Sequence, residues 1–163
     1  MFKKILAAIA PLNTSDQVIR EATTLAKLTS AELMLLHVLS PVDEGYPTPI
    51  YPGPDSVYPG PHDEVIRAYA QQWEAYERRG LELLKSLTEQ VSATGIPVEF
   101  TQNVGDPGRA ICHLADTWSA DLIILGRRGH SGLKELVLGS VSNYVLHHAP
   151  CSVLTIQGHL PES

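Results

Sequence analysis

Four stretches of the chain are apolar almost without a break: Ile5 to Ala10, Leu33 to Leu39 with His37 as its one interruption, Leu122 to Leu125, and Val153 to Ile156. Runs this short and continuous predict strands covered on both faces, because a half-exposed strand alternates. A further strand is predicted from Pro97 to Asn103, where alternation does occur. Val98, Phe100 and Gln102 point one way and Glu99, Thr101 and Asn103 the other, so one face is polar or covered.

Helical periods fill the intervals. The first helix is predicted over Ser15 to Thr29, with Val18, Ala22, Leu25 and Leu28 as its inner stripe and Thr14 with Gln17 as a capping box. The second is long, from about His62 to Thr94. Ile66, Tyr69, Trp73, Tyr76, Leu83 or Leu84, Leu87 and Val91 keep its period. Gly80 lies on the same stripe, where it marks either close packing or a bend. Gly95 and Pro97 close the helix. The third begins at Asp106-Pro107, a capping acid followed by a first-turn proline, and buries Ile111, Leu114, Ala115 and Trp118. The fourth runs from about Ser140 to Ala149 and stops at Pro150.

Strand and helix alternate throughout, which predicts an α/β fold: an open parallel sheet with right-handed crossovers and helices on both faces. Residues 1–157 read as a single domain and 158–163 as a short tail. The segment Ser40 to Pro61 stands apart. Pro41, Pro47, Pro49, Pro52, Pro54, Pro59 and Pro61 deny it a helix or a central strand. It leaves the C-terminal end of the second strand, the ligand side of such a sheet, as either a lid or a surface excursion.

Composition narrows the function. The 163 residues are 44% hydrophobic and 18% charged, enough to build a core, and the net charge of −6 argues against general attraction to nucleic acid or anionic membrane. No apolar run approaches a bilayer span, and the short run after Lys4 reaches Pro11-Leu12-Asn13 too soon for a secretory signal, so a cytoplasmic protein is expected. Cys112 and Cys151 lack metal or redox spacing and read as two buried thiols.

The chemistry concentrates after Leu125. Gly126-Arg127-Arg128-Gly129 follows the buried strand, and nine residues later Gly139 and Ser140 open a helix. A helix start presents unpaired N–H groups and the positive end of its dipole, so anions settle there. Glycines admit a phosphate without a Cβ in the way. Ser140 and Ser142 add hydroxyls, while Arg127 and Arg128 either add charge or face solvent. The spacing is not that of a Walker A loop. The dinucleotide fingerprint is excluded because the first loop, Ala10 to Thr14, has no glycine.

In this respect the chain resembles the universal stress proteins, whose nucleotide-binding members carry Gly-x2-Gly-x9-Gly-Ser/Thr after the fourth strand. Gly126, Gly129, Gly139 and Ser140 match that motif in full. The resemblance extends to Lys4-Ile5-Leu6-Ala7-Ala8-Ile9, Leu35-Leu36-His37-Val38, Gly105-Asp106-Pro107, Ala120-Asp121-Leu122-Ile123 and Ala149-Pro150-Cys151-Ser152-Val153-Leu154. It implies a five-stranded Rossmann-like sheet of the adenine nucleotide α-hydrolase-like kind. It also implies ATP, or AMP or ADP, with Mg2+ as a companion ion, and a homodimer through Val153 to Ile156. The nucleotide-binding set it implies is Ala10, Pro11, Val38, Gly126, Arg127, Gly129, Gly139, Ser140, Val141 and Ser142, with the Val38 backbone at the adenine edge. One position departs from the pattern. Where the family ends its first strand with a nucleotide-facing aspartate, Ala10 stands here, near Asn13 and Asp16. The missing carboxylate bears on base preference more than on phosphate binding.

Other residues carry blander readings. His147 and His148 are neighbours on a helix and do not share a chelating face, so contact with the helix C-terminus is expected. His37 reads as a satisfied buried histidine, and His130, in the glycine loop, is within reach of a phosphate but is not counted among the binding residues. Tyr69, Trp73 and Tyr76 read as core, and Asp121 as a residue that caps or pairs locally. No nucleophile–base pair stands out. The expected function is a dimeric, ATP-binding regulatory protein of stress responses. A slow ATPase or nucleotide-dependent enzyme, or an interaction module with a vestigial site, is the alternative.

Overall fold

The computed structural model describes residues 1–10, 15–49, 62–127 and 138–157. The elements run β1 (Lys4–Ile9), α1 (Ser15–Thr29), β2 (Glu32–Leu39), α2 (His62–Ser92), β3 (Val98–Val104), α3 (Pro107–Trp118), β4 (Leu122–Gly126), α4 (Ser140–His148) and β5 (Ser152–Ile156). The five strands form one Rossmann-like sheet in the order β3-β2-β1-β4-β5, and every neighbouring pair is parallel.

The two sheet faces divide the core by strand parity. Ile5, Ala7, Ile9, Leu33, Leu35, Leu122 and Ile124 meet Val18, Ile19, Ala22 and Ala26 of α1 and Leu84, Leu87 and Val91 of α2. On the other face Leu6, Met34, Leu36, Val38, Ile123 and Leu125 meet Ile111 and Ala115 of α3 and Val145 of α4. Covering on both faces is why β1, β2 and β4 read as unbroken apolar runs. The alternating strand β3 lies at an edge.

Two expected stripes are redrawn. Leu28 is 74% exposed, and Ile19 and Ala26 take inner positions on α1. At about 100° per residue, Leu28 falls about 130° from the centre of the face that Val18, Ile19, Ala22 and Ala26 define. On α2, Tyr76, Leu84, Leu87 and Val91 are buried, but Ile66 is 64% exposed. The reason is length. At 31 residues α2 is about 46 Å long, whereas the eight residues of β2 span about 27 Å. The first turns of α2 therefore extend past the sheet.

The N-terminal end of the sheet is tied by Asp121. Its carboxylate accepts from the backbone N–H groups of Lys3 at 2.7 Å and Lys4 at 2.9 Å. These two bonds, that of Lys3 first, hold the acid below its ordinary range. Lys4 also lays its ammonium 5.1 Å from the Trp118 ring centroid. Asp106 caps α3 by accepting from the Arg109 N–H at 2.9 Å, as the Asp-Pro pair predicts. No helix among the described residues is long and apolar enough to cross a membrane.

Candidate phosphate and base site

The connections leave β1 toward β2 on one side, while β4 pairs with β1 on the other. The C-terminal rim between β1 and β4 is therefore a topological switch point, where the chain leaves a crevice for ligands. Register brings the expected segments to this rim. Ile9 is level with His37, and Ala7 with Ile124. Extending both ladders sets Ala10 beside Val38 and Gly126 beside Ile9. With neighbouring strands about 4.8 Å apart, Val38 and Gly126 stand on the order of 10 Å from one another. That is the reach of a nucleoside.

The candidate anion site lies at the start of α4. Gly139 is its N-cap, and the first helical bond runs from Asn143 N–H to the Gly139 carbonyl at 2.9 Å. No side chain of the N-cap residue bonds the first turn. The amides of Ser140, Val141 and Ser142 consequently have no acceptor within the helix, and they lie at the helix start that follows β4. Gly139 has φ −57°, a backbone conformation that does not call for glycine. The turn is fixed from behind. Gly139 N–H donates to the Arg127 carbonyl at 3.2 Å, and Arg127 N–H to the Ile156 carbonyl at 2.8 Å.

The two serines part company. Ser142 is 2% exposed and its hydroxyl donates to the Gly126 carbonyl at 3.0 Å. It ties α4 to β4, and only its backbone N–H is left for an anion. Ser140 is exposed on the first turn. Arg127 sends its guanidinium to Gln157 Oε1 at 3.2 Å, beside the end of β5. Pro11, Arg128, Gly129, His130, Asn13 and Thr14 lie outside the described residues.

Ladder parity decides which backbone groups face the rim at the end of β2. Glu32 N–H donates to the Lys3 carbonyl and Leu33 N–H to the Pro97 carbonyl. Even residues of β2 thus direct both backbone groups toward β1, and odd residues toward β3. Val38 is even. The residue that would continue β1 and donate to its carbonyl is Pro11, which has no N–H. The ladder leaves an acceptor at the end of β2, without a donor from β1.

A corner that the sequence did not announce supports this strand end. The Asp43 carboxylate accepts from Ser40 N–H at 3.2 Å and lies 3.5 Å from the Tyr76 hydroxyl. Asp43 N–H donates to the Ser40 carbonyl at 3.0 Å. Gly45, at φ +82°, turns the chain back so that Tyr46 meets Trp73 and Tyr76 edge-on at 5.1 and 5.7 Å. Burial, followed by the charge of Asp43, pushes the Tyr76 phenol up to about 12. Tyr76 and Trp73 were legible as a stripe. Asp43 and Tyr46 carry no local pattern that singles them out from the proline-rich segment.

One turn along α2, Gly80 sits where a Cβ would fall on Gln102 Oε1 and 2.7 Å from His37 Nδ1. Close packing is thus the reason for this glycine. Gln102 Nε2 donates to the Glu77 carbonyl at 3.1 Å, so its Oε1 accepts from His37 Nδ1–H at 2.9 Å. That assigns the imidazole proton to Nδ1. His37 is 3% exposed, and its Nε2 has no partner among the described residues, so the histidine expected to be satisfied is satisfied on one side only. His148 behaves as expected: Nδ1 meets the Tyr144 carbonyl at 2.8 Å at the end of α4. Cys112 and Cys151 are half-buried free thiols, and burial pushes both up. Among the described residues no group of three or more His, Cys, Asp or Glu is placed to hold a metal ion.

Known proteins share this sequence and architecture. The family model of the universal stress protein family matches residues 1–157. Universal stress protein Sll1388 of Synechocystis is 37% identical over 160 residues, covering 96% of this chain and 98% of that protein. The fold of hypothetical protein MJ0577 superposes with a TM-score of 0.77 at 22% identity, covering 99% of each chain. A universal stress protein of Archaeoglobus fulgidus, solved in complex with dAMP, superposes with a TM-score of 0.59 at 20% identity, covering 94% of this chain and 96% of that one. Sequence and architecture therefore agree, and the chain belongs to the universal stress protein family.

Proposed function

We infer that this chain binds an adenine nucleotide as a regulatory ligand, with its phosphates on the start of α4 and its base at the end of β2. The observation that carries this reading is the open first turn of α4: three amides with no helical acceptor, at the switch point between β1 and β4. The acceptor at Val38 supports adenine, whose exocyclic amino group is a donor, over guanine, whose corresponding atom is an acceptor. The dAMP complex of an Archaeoglobus relative agrees in ligand class. ATP is the leading ligand, with Mg2+ accompanying the triphosphate and AMP or ADP as alternatives. Residues Gly126, Gly129, Gly139, Ser140, Val141 and the backbone of Ser142 form the phosphate end. Ala10, Pro11 and Val38 form the base end.

Calorimetric titration tests the reading. ATP binds saturably, and ITP, which lacks the amino donor, binds about fivefold more weakly, the order of one lost hydrogen bond. Gly139→Val places side-chain bulk at the cradle and abolishes binding while the melting transition remains. Absence of saturable ATP binding by the unaltered protein overturns the assignment.

A further inference from the structure

The backbone acceptor at Val38 is useful only if the end of β2 is held in place. The strand is paired with β1 as far as His37 and with β3 as far as Leu39, whose carbonyl accepts from Gly105 N–H at 3.0 Å. Beyond Leu39 the holding groups come from the turn that follows and from α2. The Asp43 carboxylate accepts the Ser40 N–H two residues beyond Val38, and its own N–H returns to the Ser40 carbonyl. Val42 N–H lies 3.4 Å from Ser40 Oγ, and Ser40 is 2% exposed, so the turn closes on a buried residue. Tyr76 reaches the same carboxylate from α2, and Tyr46, Trp73 and Tyr76 clamp the turn against the helix edge-on, with the Trp73 and Tyr76 rings 6.0 Å apart. The end of β2 is thereby referenced to α2 as well as to β3.

We propose that Asp43, with the Tyr46–Trp73–Tyr76 cluster behind it, is the positioning residue for the base end of the pocket. It sets recognition of the nucleoside independently of recognition of the phosphates. This rests on the nucleotide reading above and adds a division of labour to it. Phosphate affinity belongs to α4, and nucleoside affinity to a turn on the far side of the rim. Because Trp73 is part of the clamp, its emission reports arrival of a base and is silent to phosphate alone.

The test titrates ATP, adenosine and inorganic triphosphate into the unaltered protein, Asp43→Ala and Asp43→Asn, all with Trp118→Phe so that Trp73 is the one remaining tryptophan. Asp43→Ala weakens ATP and adenosine by about fivefold or more, the weight of a lost backbone hydrogen bond, and leaves triphosphate unchanged. Asp43→Asn keeps an acceptor for Ser40 N–H and restores nucleoside binding to within about twofold. ATP and adenosine shift the Trp73 emission, whereas triphosphate does not. Equal loss for all three ligands would assign Asp43 a general structural role, and unchanged adenosine binding would assign it none. Either result overturns the proposal while leaving the nucleotide reading intact. Binding of triphosphate but of neither ATP nor adenosine to the unaltered protein overturns both.

Discussion

Gly80 shows how one residue's effect changes sign with its neighbours. In an isolated helix, replacing glycine by alanine gains about 1 kcal/mol. Here the added Cβ would fall on the Gln102 amide and 2.7 Å from His37 Nδ1. Gln102 cannot retreat without surrendering its bonds to Glu77 and His37. Gly80→Ala is therefore expected to destabilise by about 1–3 kcal/mol, the cost of overpacking. Urea denaturation measures it, and a stabilised variant would show that the corner yields. Asp121 provides a second prediction at this scale. Its folded pKa is lowered by the Lys3 and Lys4 amides. The stabilisation is therefore complete above the unfolded carboxylate value of about 3.9 and is lost as pH falls through the lower folded value. The melting temperature should fall with acid below about pH 4, and Asp121→Asn should flatten that limb. An identical acid limb in the variant would assign it to other carboxylates.

Between α3 and α4 the contact is equally tight. A Cβ on Gly108 would come within 2.7 Å of the Tyr144 ring, and that ring is stacked on His148 at 4.1 Å between centroids. Tyr144 has little room to turn aside. Gly108→Ala is expected to cost about 1–3 kcal/mol and to weaken nucleotide binding, because α4 carries the open amides at its start. Adding Tyr144→Ala should recover part of the loss in a double-mutant cycle. Strict additivity would show that the two residues do not meet. At this scale the sequence was informative about existence and type. The span Ser15–Thr29 was read outright, and α3 began at its Asp-Pro cap as expected. It was less informative about facing. Leu28 has the hydropathy of a core residue but the wrong angular position, and Ile66 belongs to a periodic stripe that outlasts the sheet beneath it. Period is a property of the helix, whereas burial needs a partner.

For the molecule as a whole, the sheet has two edges, β3 and β5. Strand β3 presents Glu99 to solvent, while Val153, Leu154, Thr155 and Ile156 of β5 are half-buried by the chain alone. An apolar edge whose outer side pairs with no strand among the described residues invites a second strand. Sedimentation at tens of micromolar should show a homodimer, and Val153→Pro, which removes an edge donor, should weaken it. A monomer at hundreds of micromolar would contradict the assignment of β5 as the interface.

The order of elements, the parallel sheet and the glycine-spaced start of α4 were all legible along the chain, because each depends on near neighbours: apolar runs, caps and turn residues. The resemblance of the Gly126 to Ser140 motif to a known family was legible for the same reason. Strand order was not, and with it went the facts that make a site. Only the tertiary structure set Val38 and Gly126 on one rim, turned the Ser142 hydroxyl inward to Gly126, left one nitrogen of His37 without a partner among the described residues, and brought Asp43 and Tyr46 against α2. Each of these joins residues far apart in sequence. Local pattern determines which elements form. Which polar groups meet, and which stay open for a ligand, is decided only when the elements pack.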